Sequence, residues 1–154
     1  IEVLNKSSLC SAQLWVDQSI EHSALNKFQG ELKIQKGESL GEKMYDAVQV
    51  VLQDFSTVVI IGSDCPGIDI IYLEQALQAL EKKAVEVVLG PALDGGYVLI
   101  AMKQLQQEIF QDIDWGSEDV LQQTVEKLNS GGLKFSMLSP LIDIDTPEDL
   151  KSFE

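Results

Sequence analysis

Residues 57–67 read Thr-Val-Val-Ile-Ile-Gly-Ser-Asp-Cys-Pro-Gly. Five consecutive β-branched residues without polar alternation mark a strand covered on both faces, as in a parallel sheet flanked by helices. The strand stops at Gly62, and a carboxylate, Asp64, follows among residues that tighten a turn. In open α/β sheets ligands bind beyond the carboxyl ends of the strands. The loop 62–67 is therefore the first place to look for chemistry.

Working outward, strands and helices alternate. Residues 41–53 place Met44, Ala47, Val48, Val51 and Leu52 on one helical face. Asp69 is positioned to N-cap a helix carrying Leu73, Ala76, Leu77 and Leu80. Residues 85–89 and 97–102 read as two further central strands, and 134–138 as a late one. Ser117 precedes a helix with Val120, Leu121, Thr124, Val125 and Leu128, which Gly131 and Gly132 end. Residues 13–17 and 31–35 read as short strands, and Thr146-Pro147 opens a last short helix. The pattern predicts a three-layer α/β domain on a mostly parallel sheet.

The chain has 154 residues, enough for one domain with its own core. Its net charge is −14, from 25 acidic residues against 11 cations, all of them Lys. Such a balance argues against nucleic-acid binding, which needs clustered cations, and against an anionic membrane surface. No apolar run approaches the roughly 18 residues of a membrane span. Cys10 and Cys65 stand far apart, which argues for reduced thiols in a cytoplasmic setting. A single histidine, His22, gives no basis for a His-based zinc site or a Ser-His-Asp triad.

Three acidic loops remain. Asp64 is either a metal ligand or a turn cap. Asp94-Gly95-Gly96-Tyr97 follows the strand 85–89, and is either a ligand loop or a hairpin turn. Asp143 and Asp145 lie two residues apart, on one side of an extended segment, just before the last helix. They either share a cation with Asp64 or serve as solvated and capping acids. Magnesium is commonly held by one or two carboxylates that leave room for phosphates. Lys43 sits near a helix start, where a cation is disfavoured, so it is either solvated or faces an anion. Neither a P-loop nor a G-x-G-x-x-G motif occurs.

Taken in order, residues 37–44 (GESLGEKM), 61–66 (IGSDCP), 89–97 (LGPALDGGY), 114–117 (DWGS) and 143–150 (DIDTPEDL) form a recognisable set. From about residue 35 onward the chain resembles the bacterial GT-A-like glycosyltransferases described as radical-SAM/selenodomain-associated transferases. More distant relatives are the nucleotidyltransferases of molybdenum-cofactor and coenzyme F420-precursor synthesis.

The resemblance implies a Rossmann-like GT-A fold over residues 1–154 and use of a nucleotide-activated sugar through Mg²⁺ or Mn²⁺. It implies catalytic roles for Asp64, Asp94 and Asp145, and metal binding by Asp64, Asp143 and Asp145. Lys43, Ser63, Gly95, Gly96, Tyr97, Trp115 and Ser117 would contact donor or acceptor. Lys43 stands where the family usually has Arg, which keeps the charge but loses bidentate phosphate recognition. The family's opening strand and basic nucleotide loop have no match in residues 1–28, so an N-terminal part is expected to be missing. The expected partners are a nucleotide sugar or nucleotide and a small-molecule acceptor. The alternatives are nucleotidyl transfer on the same fold, or a non-catalytic domain that binds a ligand or partner.

Overall fold

The computed structural model describes residues 11–17, 25 and 27–144. Cys10, His22, Asp145 and the helix expected after Thr146 lie outside them.

Strands β1 (Gln13–Val16) and β2 (Glu31–Ile34) pair in parallel as a two-stranded sheet, Gln13 opposite Glu31. Helix α1 (Leu40–Asp54) follows, then β3 (Val58–Ile61), α2 (Ile70–Glu81), β4 (Val87–Pro91) and β5 (Tyr97–Met102). A 3₁₀ turn at Gln107–Phe110, α3 (Val120–Ser130) and β6 (Phe135–Met137) complete the described elements. Four strands form one sheet in the order β3-β5-β4-β6.

The sheet is mixed. β5 runs antiparallel to both β3 and β4, whereas β4 and β6 are parallel. β3, β4 and β6 thus share one direction, and β5 alone opposes them. Local pattern does not reveal direction: Tyr97–Met102 is as apolar as a parallel core strand because both of its faces are covered.

Period-two alternation divides the core between two helical layers. Val88, Leu99 and Ala101 pack with Tyr72, Leu73, Ala76 and Leu80 of α2. Val87, Leu89, Ile100 and Met102 pack with Met44 and Val48 of α1, Leu128 of α3 and the 3₁₀ turn. The three-layer α/β expectation holds. β4 is buried along its whole length. β3 is not: it lies at the sheet edge, and only Val58 is buried. Its apolar run therefore overstates how well it is covered by the described residues.

The helix ends follow from side-chain chemistry. Asp69 accepts from the Tyr72 backbone N–H at 2.8 Å, capping α2 as expected. Ser39 caps α1 by accepting from Glu42 N–H (3.2 Å), and the Glu42 carboxylate accepts from Glu38 N–H (2.7 Å). This is close to a Ser-x-x-Glu capping box. At α3 the expectation needs correcting. Asp119, not Ser117, is the N-cap residue, and it makes no side-chain cap bond. Ser117 instead accepts from Asp119 N–H within the turn (3.3 Å). Gly131 ends the helix as the C-cap, and Gly132 turns away at φ +67°.

Candidate functional site

The shared direction of β3, β4 and β6 puts their carboxyl ends on one edge, where β5 begins. The Asp64 loop leaves β3 there. Gly62 N–H donates to Val98 C=O (2.9 Å), extending the ladder by one rung. A Cβ on Gly62 would stand 2.7 Å from Asp64 Oδ1, so the glycine makes room for the carboxylate beside the strand end. Ser63 and Asp64 are exposed, and Cys65 is buried.

The segment after β6 is laced along this edge. Leu138 N–H donates to Leu89 C=O (2.8 Å), and Tyr72 O–H to Ser139 C=O (2.8 Å). Leu141 N–H donates to Pro91 C=O (3.0 Å) and Leu93 N–H to Leu141 C=O (3.1 Å), an isolated parallel bridge at Ala92 and Leu141. The Cys65 thiol donates to Ile142 C=O (3.4 Å), and Ile144 N–H donates to Asp64 C=O (3.0 Å). This lacing seats Asp143, between Ile142 and Ile144, next to the Asp64 loop.

The Cys65 thiol registers the result. Burial raises its pKa above the ordinary 9.0, and the negative charges of Asp143 and Asp64 push it the same way. Such a thiol is a packing residue, not an activated nucleophile.

The loop 92–96 proves to be a hairpin connecting antiparallel β4 and β5, with Ala92 N–H bonded to Gly96 C=O (3.0 Å). The Asp94 carboxylate accepts from Gly96 N–H (2.9 Å), a local turn of the Asx kind. The hairpin reading holds, and the turn stands at the carboxyl end of β4. Gly95 adopts φ +98°, and a Cβ there would lie 2.0 Å from Glu118 C=O. Its own carbonyl accepts from Leu121 N–H (2.9 Å) in the first turn of α3. Gly95 thus joins the hairpin to α3 and meets a backbone donor that the helix leaves unpaired.

Tyr97 and Trp115 meet edge to face, with ring centroids 6.3 Å apart. A Cβ on Gly41 would come 2.6 Å from Trp115 Nε1, so the indole lies against the first turn of α1. Trp115 is a half-buried wedge between α1 and β5 more than an open rim. Among the described residues the buried Tyr97 hydroxyl has no well-aligned hydrogen-bond partner, and burial raises its pKa, against a smaller lowering by the adjacent Thr124 hydroxyl. Thr124, beside it, donates its hydroxyl proton to Val120 C=O (2.8 Å).

Lys43, in the first turn of α1, pairs with Asp17 just beyond β1. The anion suggested by its unusual place is therefore a carboxylate of the chain itself. Among the described residues, no three His, Cys, Asp or Glu side chains gather into a ready metal cage. Asp64 and Asp143 lie on neighbouring segments, which the Ile144-to-Asp64 backbone hydrogen bond joins. No described helix is long and apolar enough to cross a membrane.

Sequence reading missed Tyr72 and the irregular segment 138–142 as parts that build the site. Residues 138–142 (LSPLI) have no periodicity, and Pro140 interrupts any strand pattern. The only sequence signal for Tyr72 is its place three residues after the capping Asp69.

Known proteins share the family and the fold. Residues 1–117 match the profile of the DUF2064 family, described as an uncharacterized protein conserved in bacteria. A crystal structure from Desulfovibrio desulfuricans G20, provisionally assigned as a nucleotide-diphospho-sugar transferase, is 31% identical. The match covers 99% of this chain and 68% of that one, with a TM-score of 0.88. CMP:2-keto-3-deoxy-manno-octonic acid synthetase complexed with CTP shares the fold at 12% identity and a TM-score of 0.67. That match covers 99% of this chain and 83% of the synthetase. No curated protein matches the chain.

Proposed function

The chain belongs to the DUF2064 family and has the nucleotide-diphospho-sugar transferase fold, and we propose that it is a divalent-metal-dependent glycosyltransferase using a nucleotide-activated sugar. The observation that carries this reading is the hydrogen bond from Ile144 N–H to Asp64 C=O at 3.0 Å. It draws the Asp143 segment onto the Asp64 loop at the carboxyl edge of the sheet, where α/β folds take their ligands. Asp64 and Asp143 would hold Mg²⁺ or Mn²⁺, with Asp145 as a further candidate ligand. The metal would supply charge neutralisation for the diphosphate leaving group.

The residues divide the remaining work. Ser63, beside Asp64, would offer a hydroxyl to the donor phosphates. Lys43 would exchange Asp17 for a phosphate oxygen when a donor arrives. Asp94, held by Gly96 N–H, would present its free lone pairs to an acceptor hydroxyl. Gly95 and Gly96 would allow close approach of the sugar, and Tyr97, Trp115 and Ser117 would shape the acceptor side. A free, buried Cys65 thiol is compatible with a cytoplasmic setting.

The test is calorimetry with UDP-, GDP-, ADP- and CDP-sugars, with and without Mg²⁺ or Mn²⁺. One donor should bind only in the presence of metal, and Asp64→Ala should abolish that binding. Undiminished metal-dependent binding in the variant would remove Asp64 from the metal site. Pyrophosphate release from a nucleoside triphosphate and a sugar phosphate would reassign the chain to nucleotidyl transfer.

A further inference from the structure

β6 closes one side of the four-stranded sheet and pairs only with β4. Lys134 C=O accepts from Glu86 N–H (2.7 Å), and Leu138 N–H donates to Leu89 C=O (2.8 Å). Residues 134, 136 and 138 therefore turn their backbone groups toward β4. By the same alternation Phe135 and Met137 turn theirs outward, and among the described residues nothing pairs with them.

The side chains divide in the same way. Phe135 packs with the α1 and α3 layer, and Leu138 with the α2 layer. Met137 shares the Phe135 face and is 49% exposed. On the α2 face a groove of about 360 Å³ runs between α2 and β6. Gln75, Gln78 and Lys82 line it from the helix, facing residues 136–139. No carboxylate lines this groove, in a chain of net charge −14. Lys82 and Lys83 follow α2, Lys103 donates to Leu80 C=O (2.6 Å), and Lys134 precedes β6. These four cations belong to the amino edge of the sheet, opposite the acids of the candidate site.

We propose that β6 is a self-association edge whose partner is β6 of a second copy, antiparallel about a twofold axis at Ser136. In that register Phe135 faces the partner's Met137, and the two exchange both backbone bonds, once on each side of the axis. Met137 gains an aromatic neighbour on its open face. The two Ser136 hydroxyls meet at the axis, one donating and one accepting. Lys134 faces the partner's Leu138, so no like charges oppose each other. The Gln75 and Gln78 amides each carry donors and an acceptor, and pair with their own kind where the two grooves join. Antiparallel placement also sets the lysine edge of one copy beside the acidic edge of the other. A second copy is the occupant because each part of the seam is its own complement. Lys134 and Pro140 keep the seam short and hold off unspecific strand addition. None of this depends on the transferase reading.

Sedimentation equilibrium of the wild type should show the mass rising from monomer to dimer. A dissociation constant on the order of 10–100 μM suits so short a seam. Hydrogen exchange at the Phe135 and Met137 amides should slow as protein concentration rises. Met137→Pro removes an outward N–H without touching the β4 ladder, and should weaken association at least about tenfold. Met137→Lys places a charge at a half-exposed position of the seam, and serves if the proline variant fails to fold. A wild type that stays monomeric up to about 1 mM would overturn the proposal. So would a dimer that survives both substitutions, or concentration-dependent protection confined to residues outside 134–139.

Discussion

Gly95 shows how one residue can be fixed by two demands at once. Its φ of +98° suits only a residue without a side chain, and Glu118 C=O fills the space where a Cβ would go. Gly95→Ala should cost at least about 2 kcal/mol through strain and collision. In a chain of this length that lowers the melting temperature by several degrees, as thermal unfolding would read directly. The sequence shows a glycine after Asp94 but not its neighbour, because the contact with Glu118 spans two separate loops. Buried ionisable groups add a pH dependence. Burial raises the Cys65 thiol above 9.0 and pushes Tyr72 from 10.0 to about 12. Above about pH 9 the unfolded chain releases protons that the native protein keeps. The unfolded state then binds fewer protons, so stability falls as pH rises from about 9 toward 12. Urea midpoints measured across that range should decline, and Cys65→Ala and Tyr72→Phe should each flatten the decline. A midpoint independent of pH would show that neither group is shifted in the native state.

Elements were largely legible because their apolar periods are clean. The stripe through Met44, Ala47 and Val48 is the buried face of α1, and Tyr97–Met102 is a strand with the expected ends. What stayed hidden was direction and order. A strand covered on both faces looks the same whichever way it runs, so antiparallel β5 left no mark in the local pattern. Caps are legible only where the side chain bonds the backbone two or three residues on. Asp69 does so at the start of its helix; Ser117 bonds two residues on as well, but to Asp119, which is itself the N-cap residue, so its bond closes the turn before the helix. Ser39, with Glu42 three residues later, supplies the better box. Ser39→Ala should destabilise the fold by about 1 kcal/mol, seen as a lower urea midpoint with an unchanged slope. A changed slope would mean that the first turn of α1 does more than end a helix.

At the scale of the whole molecule, charge and topology act together. The net charge is −14, and shared strand direction brings Asp64, Asp94 and Asp143 to one edge while four Lys residues belong to the other. A divalent cation at the acidic edge should therefore stabilise the native state. At a hundredfold excess over its dissociation constant the gain is about 2.7 kcal/mol. Millimolar Mg²⁺ should raise the melting temperature of the wild type and leave that of Asp64→Ala in place; an equal rise in both would locate the cation elsewhere. The acids were legible individually, because each follows a recognisable strand or precedes a helix signal. That they would meet at one edge was an expectation of strand order and resemblance; the means was not legible, since it depends on Pro140-containing irregular backbone and on bonds between distant positions. The thiol bond from Cys65 to Ile142 joins residues 77 apart in sequence, and Ile144 reaches Asp64 across a similar span. Order of assembly follows from that distance. Closing so long a loop costs entropy before any contact repays it, so the hairpin, α2 and the sheet can form while the two carboxylate loops are still apart. On the ribosome residues 138–144 are made after the described strands, and the protein acquires its shape before its acidic edge is complete.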